Sequence, residues 1–218
     1  MPARILAIGD IHGCLVQFDA LVDKIAPTQN DHLILLGDYV DRGPDSAGVI
    51  SRILKLSKTV RVTCLKGNHE QMMLEAFDSQ DKLSDWIRNG GDATLRSYAG
   101  LNSSLRDIPS EHWNFLENQL VDYLESESHI FVHANAYSDL DMCEQPDYML
   151  RWERCDNISP HISDKVIVCG HTPQRSGRPL NKGFAICIDT TPGHAANFLV
   201  TNANYPKFLE LIVPIKGI

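Results

Sequence analysis

The sequence contains no run approaching the 18 or more consecutive apolar residues of a membrane-spanning helix, which excludes that class of membrane partner. Its first ten residues, Met1 to Asp10, carry too short an apolar stretch for a secretory signal and lack a cleavage-like site, so the expected location is cytoplasmic. Basic charge is also in deficit. Lys plus Arg total 20 against 28 Asp plus Glu, a formal net charge of −8. On average such a surface repels a phosphate backbone, which argues against a nucleic-acid partner but leaves room for a local basic pocket that takes one phosphate. The six cysteines (Cys14, Cys64, Cys143, Cys155, Cys169 and Cys187) form no CxxC pair. Reduced structural thiols are therefore expected, not a disulfide framework. No internal repeat or low-complexity segment is present.

What remains is an ordinary globular composition, 43% hydrophobic and 22% charged. A chain of 218 residues buries roughly 70% of its unfolded surface and needs no staple. The expectation is a single domain over residues 1–218. Its first third alternates compact apolar runs at 4–9, 32–37 and 60–65 with helical spacing at 15–25, 46–56 and about 70–77. Strands that are apolar throughout belong to a sheet covered on both faces, so the core is α/β. Residues 79–119 are polar and helical in parts, a helical excursion. Strands resume at 120–124, 129–133, 165–169, 184–188, 197–201 and 207–212. Their close spacing predicts a second sheet with antiparallel pairing. Residues 135–163 read as a long Pro-interrupted loop of the kind that often carries function.

Five short motifs follow these strands: Gly9-Asp10-Ile11-His12-Gly13, Gly37-Asp38-Tyr39-Val40-Asp41-Arg42-Gly43, Gly67-Asn68-His69-Glu70, His133-Ala134 and Gly170-His171-Thr172. In α/β sheets, ligands gather beyond the carboxyl ends of strands, where side chains distant in sequence converge. Asp10 and His12 would point to one side of an extended segment, and the Asp38 carboxylate can bridge two cations. Asn68, His133 and His171 add a neutral oxygen and two imidazoles. Three imidazoles disfavour Ca²⁺ and Mg²⁺, mixed N/O ligation suits Mn²⁺, Fe or Zn²⁺, and the lack of thiolates in the motifs argues against a closed structural zinc site there. A lone strand-end His is more often structural than a ligand, and a lone Gly-Asp is usually a turn. The five residues fixed in Gly37-Asp38…Asp41-Arg42-Gly43, however, have roughly one chance in ten thousand of arising from ordinary composition.

Taken in order, GDxHG, GDxxDRG, GNHE, His-Ala and GHT resemble the phosphoprotein phosphatase branch of the metallophosphoesterases. The segments Gly67 to Met73, Trp86…Asn89-Gly90-Gly91 and Trp152-Glu153-Arg154 are similar to its phage-lambda-type and bacterial members. The resemblance spans roughly residues 5–189. It implies an α/β metallophosphoesterase-like β-sandwich of two mixed sheets flanked by helices. It also implies two divalent ions, Mn²⁺ first and Fe or Zn²⁺ as alternatives, with a hydroxide held between them for in-line attack on phosphorus. Asp10, His12 and Asp38 would hold one ion, and Asp38, Asn68, His133 and His171 the other. His69 would be the general acid, oriented and kept protonated by Asp41. Arg42, Arg154 and Asn68 would bind phosphate, with Arg154 favoured over nearby Arg151 by the W-x-R pattern.

The implied function is a protein serine/threonine phosphatase acting on phosphorylated protein or peptide, with a symmetrical bis(5′-nucleosyl)-tetraphosphatase acting on a dinucleoside polyphosphate as the alternative. A catalytically dead binding module and a nucleic-acid phosphodiesterase are the remaining readings, disfavoured by the intact ligand set and by the charge. Two positions depart from the family pattern: Asn135 after His133-Ala134, and Thr191 in Ile188-Asp189-Thr190-Thr191. His194 is read as a surface residue, with the pocket rim as the less favoured place. The acidic residues Glu117, Asp122, Glu125 and Glu127 form a solvated face. Trp113 and Phe115 pack, and His32, His112, His129 and His161 carry no chemistry.

Overall fold

The computed structural model describes residues 4–190, together with the backbone of residues 197–201 and 209–212. The first three strands, β1 (Ile5–Ile8), β2 (His32–Leu35) and β3 (Arg61–Leu65), pair in parallel and alternate with helices α1 (Leu15–Ile25), α2 (Ser46–Leu56) and α3 (Asn68–Glu75). Asp45 starts α2 by accepting the Gly48 N–H at 2.7 Å, and α1 ends on Ala26 in the left-handed conformation. The excursion holds α4 (Gln80–Trp86), α5 (Asp92–Ala99) and α6 (Ser110–Asn118). It is not a detached lobe. Trp86, Leu105, Ile108, Phe115 and Leu116 are buried in the same cluster as Leu6, Leu33 and Leu35 of the sheet.

Beyond the excursion run β4 (Leu120–Val121), β5 (Tyr123–Glu125), β6 (His129–Val132), α7 (Asp147–Arg151), β7 (Val166–Cys169), β8 (Leu180–Asn181), β9 (Ala185–Cys187), β10 (Asn197–Thr201) and β11 (Leu209–Ile212). They make two sheets, ordered β11-β10-β1-β2-β3-β4 and β5-β6-β7-β9-β8. Alternate residues of each sheet face the other. Ala7, Ile34, Leu36 and Leu65 meet Phe131, Val168, Ile186 and Ile188 in a common buried layer. Each large side chain buried there contributes roughly 1.5–3 kcal/mol of hydrophobic stabilisation. The outer face of the second sheet, with Ile130, Val132, Ile167, Cys169, Ala185 and Cys187, is covered by segments carrying Ala136, Met142, Leu150, Cys155 and Ile158.

The later strands differ from the sequence expectation in three ways. The run at 120–124 is two strands in different sheets, and the chain crosses between them at Asp122, which accepts a hydrogen bond from Arg151 at 2.5 Å. The second sheet is parallel at its centre (β6-β7-β9) and antiparallel only at β5 and β8. The long stretch 135–163 is the crossover that a parallel β6–β7 pair requires, a connection of a dozen residues or more. Finally, β10 and β11 join the first sheet, antiparallel beside β1. The two-residue strand β8 had no sequence signal. Thr191 and His194 lie outside the described residues.

Candidate active site

The predicted ligands fall at the carboxyl ends of five strands. Asp10 and His12 follow β1, Asp38 follows β2, Asn68 follows β3, His133 follows β6 and His171 follows β7. The first three loops come from one sheet and the last two from the other, so the two sheets meet over the site. Among the described residues, seven non-glycine positions have positive φ. Five of them, His12, Asp38, Asp41, Arg42 and His171, are predicted site residues. Each such conformation costs about 1–3 kcal/mol and persists only where surrounding structure enforces it. Here the enforcement is visible.

Glu70, fully buried, accepts the backbone N–H groups of Asp38 (2.8 Å), Tyr39 (2.7 Å), Val40 (3.3 Å) and Gly67 (3.0 Å). One carboxylate thus ties the Gly37–Gly43 loop to the start of α3. On the other side, a Cβ at Gly170 would lie 2.3 Å from Asp10 Oδ1, so only glycine lets the His171 loop approach Asp10, whose Oδ1 accepts the His171 N–H at 3.0 Å.

Asp38 belongs to two ligand groups, one with His12 and His69 and one with His133 and His171. Within each group the donor atoms lie within 4.8 Å of one another. All three predicted histidine ligands have one ring nitrogen against a backbone carbonyl: His12 Nδ1 to Val40 O (2.9 Å), His133 Nδ1 to Leu36 O (2.8 Å) and His171 Nε2 to Trp152 O (3.0 Å). These contacts make the outer nitrogen the N–H and leave the inner nitrogen with a lone pair facing the centre. Burial pushes His12 and His133 well below the usual imidazole range and lowers His171, which keeps them neutral. Lone pairs then face lone pairs. Asn68 Oδ1 lies 3.0 Å from both His133 Nε2 and His171 Nδ1, and Asp38 lies 3.4 Å from His133 Nε2 and 3.5 Å from His12 Nε2.

Burial also raises the Asp10 and Asp38 carboxyls well above the usual range. The strongest second influence is another carboxylate, Asp189 on Asp10 and Asp10 on Asp38. A cation among these groups would relieve that repulsion. Arg42 places its guanidinium 2.8 Å from His12 Nε2, standing in for a cation. The donor set of three neutral imidazoles, two carboxylates and an amide oxygen fits a pair of divalent cations.

Beside this cluster His69 Nδ1 lies 2.7 Å from Asp41 Oδ2, and both side chains are buried. Two residues of the excursion hold Asp41: Trp86 Nε1 donates to its carboxylate at 2.9 and 3.0 Å, and Thr94 Oγ1 donates at 2.7 Å. Desolvation works against the expectation that Asp41 keeps His69 protonated near neutrality. Burial, followed by the Arg42 charge, lowers His69 to about 3. Burial also raises Asp41 to about 7 against the downward pull of Thr94 and Trp86.

The two arginines near the W-x-R segment divide cleanly. Arg151 is buried and paired with Asp122 and Asp147, whereas Arg154 is exposed and has only Asp156 at 2.6 Å. Asn135 is buried with its amide donating to Arg154 O at 2.9 Å, so this departure from the family pattern supports the backbone of Arg154. Arg42 is set by its N–H to Gly90 O (3.1 Å). Gly90 has φ 109°, and a Cβ there would come within 2.9 Å of Arg42. The bracing roles of Glu70, Trp86, Thr94 and Gly90 were not assigned from sequence, although all four stand in quoted motifs or in the excursion. His32, His112 and His161 make ordinary contacts, to Thr63, to Ser51 and Tyr98, and to Ser163 and Leu140. Phe115 is core, and Trp113 packs on Phe77.

The profile of the family described as calcineurin-like phosphoesterase matches residues 3–184. The chain belongs to the calcineurin-like phosphoesterases. It is therefore a metal-dependent phosphoesterase of the hydrolase class, with the two-sheet α/β fold of that family. It is 41% identical over 94 residues to serine/threonine-protein phosphatase 1 of Salmonella typhimurium, covering 41% of this chain and 39% of that protein. The chain thus matches well under half the length of this relative. It is 26% identical over 235 residues, 95% of this chain and 92% of the other, to the asymmetrical bis(5′-nucleosyl)-tetraphosphatase PrpE of Anoxybacillus flavithermus. In fold it is similar to a protein serine/threonine phosphatase from Saccharomyces cerevisiae, with TM-score 0.67 at 15% identity, covering 99% of this chain and 81% of that one. Among the described residues no helix is long and apolar enough to cross a membrane.

Proposed function

We propose that this calcineurin-like phosphoesterase is a phosphomonoesterase of the protein serine/threonine phosphatase type. The observation that carries the proposal is the buried His69–Asp41 pair beside the ligand cluster, with His69 Nε2 3.9 Å from Asp38 Oδ2. A serine or threonine alkoxide is a very poor leaving group, and its departure calls for a positioned proton donor. A nucleotide phosphate leaves as a stable anion and needs one far less. Trp86 and Thr94 fix Asp41, and Asp41 fixes the His69 ring, so the geometry favours a substrate that needs the proton.

In this reading Asp10, His12 and Asp38 hold one divalent ion, and Asp38, Asn68, His133 and His171 hold the other, with Mn²⁺ the first choice and Fe or Zn²⁺ the alternatives. When bound, the two ions supply a nucleophilic water and neutralise phosphoryl oxygens. Arg42 and Arg154 orient the phosphate by forked hydrogen bonds, and Asn68 contributes to the same face. The incoming dianion raises the proton affinity of His69, which burial alone lowers, so substrate binding loads the donor. His69 then passes its proton from Nε2 to the departing oxygen.

The second reading, a bis(5′-nucleosyl)-tetraphosphatase, is supported by the near-full-length similarity to the Anoxybacillus protein, whose name gives the asymmetrical activity and not the symmetrical one expected. Mn²⁺-supported hydrolysis of a phosphoserine peptide and of diadenosine tetraphosphate, measured side by side with wild type and His69→Asn, separates the two. The expected result is faster peptide turnover with kcat lowered about 10²–10⁴-fold by the substitution. Preference for the dinucleotide, with little effect of His69→Asn, would sink the protein phosphatase reading and leave phosphoester hydrolysis standing.

A further inference from the structure

Behind the catalytic loops, on the outer face of the second sheet, three of the six cysteines converge. Cys169 and Cys187 are direct neighbours on the parallel pair β7 and β9, and Cys155 lies over them at the start of the short 3₁₀ turn Cys155–Asn157. All three are buried, at 0%, 2% and 0% exposure for Cys169, Cys187 and Cys155, and their sulfurs lie within 4.8 Å of one another. The remaining cysteines do not join them: Cys143 is exposed, and Cys14 and Cys64 belong to the other half of the molecule.

Buried cysteine is commonly just a small apolar residue. Three features go beyond that role. A zinc–sulfur bond of about 2.3 Å sets the sulfur–sulfur edge of a tetrahedral site at about 3.8 Å, so these sulfurs need to contract by an ångström or less. Polar backbone borders the sulfurs, since the Cys187 thiol donates to Gly170 O and Thr172 O, both at 3.3 Å. Positive charge stands at the rim: Lys182 Nζ donates to Asp156 O at 2.9 Å, one residue from Cys155. That charge would offset the net negative charge of a tris-thiolate complex.

We propose that Cys155, Cys169 and Cys187 form a second, thiolate metal site for a thiophilic cation of the Zn²⁺ or Cu⁺ class, distinct from the N/O cluster. Soft thiolates select these ions over Mn²⁺ or Mg²⁺. Binding converts three thiols to thiolates, releases three protons, and leaves the metal's oxidation state unchanged. The site would clamp the segment following Arg154 onto the strand ends that lead into Gly170-His171 and Asp189. It would thereby couple the exposed phosphate arginine to the ligand loop through one buried ion.

The test is titration of the metal-free, reduced full-length protein with Co²⁺, with Zn²⁺ and, anaerobically, with Cu⁺. Wild type should develop a near-ultraviolet thiolate-to-cobalt charge-transfer band that Zn²⁺ or Cu⁺ abolishes. Cys155→Ser should lose the band and Cys64→Ser should keep it. In wild type alone, held in denaturant strong enough to open the buried sulfurs to reagent, bound Zn²⁺ or Cu⁺ should slow alkylation of three thiols, a readout that survives if the variants fail to fold. Displacement by Cu⁺ but not Zn²⁺ would assign the ion to copper, and the reverse to zinc. No band, together with equal alkylation with and without metal, would overturn the proposal in favour of plain packing. A mass lower by two hydrogens in the protein before reduction, with no metal protection after it, would overturn it in favour of a disulfide. These signals report sulfur ligation only, so loss of the N/O-bound ions or of phosphatase activity leaves them unmoved.

Discussion

The two sheets supply the candidate active site in different ways. The first contributes Asp10, His12, Asp38 and Asn68 on short loops after consecutive parallel strands. One buried carboxylate, Glu70, ties the Asp38 loop to the Asn68 loop by accepting four backbone N–H groups, and the β1 loop joins them through the Ile11 and His12 N–H groups on Asp38 O at 3.0 and 2.8 Å. The second contributes His133 and His171 after strands separated by a long crossover, and its bracing is scattered. Asn135 holds the Arg154 carbonyl, Arg151 is paired across Asp122 and Asp147, and Cys155 N donates to Thr172 Oγ1 at 3.0 Å. The first half therefore presents a preformed ligand set, whereas the second presents an exposed arginine on a segment held by a few side-chain contacts.

The sharpest way to break this comparison is to remove the residue both halves share. Asp38→Asn should lower kcat/KM by about 10³-fold and reduce the bound divalent ion, measured by steady-state kinetics and elemental analysis. Retention of both ions would mean that the halves bind independently.

Next in size is the contrast between the two arginines. Arg154→Ala should raise KM about 10–100-fold with unchanged unfolding, while Arg151→Ala should cost about 1–2 kcal/mol in denaturant unfolding and leave KM nearly unchanged. The opposite pattern would transfer the phosphate role to Arg151.

Gly90→Ala pushes a Cβ against Arg42, so kcat/KM should fall about tenfold with metal content intact. An unaltered value would show that the excursion does not position Arg42.

The smallest effect concerns pH and lies at the far end of the first sheet. The Arg4 hydrogen bond holds Asp31 below the usual carboxylate range, and Asp31 is 3% exposed. A depressed folded-state pKa means stability that is present above the unfolded value of 3.8 and lost as pH falls below it. Asp31→Asn should therefore lose about 1–2 kcal/mol near neutrality and flatten the acid limb of the stability curve, as read by urea unfolding between pH 3 and 7. A parallel pair of curves would rule out this linkage.

Much of the first half was legible in the residues. Helices Leu15–Ile25 and Ser46–Leu56 begin and end where apolar periodicity places them, because each buries one stripe against a sheet. The proposed ligand residues could be picked out because strand-end chemistry is written in short contiguous motifs. Trp86 and Thr94 were not recognisable as Asp41 partners, since they sit 45 and 53 residues away in a polar helical segment. The desolvation that opposes protonation of His69 was hidden for a related reason: sequence displays the charged partner but not the burial around it.

The second half shows the same boundary. Its longer strands announced themselves, yet their pairing did not, because apolar runs of four or five residues fit parallel and antiparallel neighbours equally well. Crossover geometry and sheet closure decided that β10 and β11 return to β1 and that β6, β7 and β9 run parallel. The sequence alone determined the chemistry at hand: Asp, His, Asn and Arg in motifs too specific to be chance, within an α/β chain able to bury its own core. Only the tertiary structure decided which neutral imidazoles face which carboxylates, which arginine stays exposed, and that three cysteines without a spacing signature share one pocket. Proximity and desolvation belong to the folded arrangement, and no local pattern encodes them.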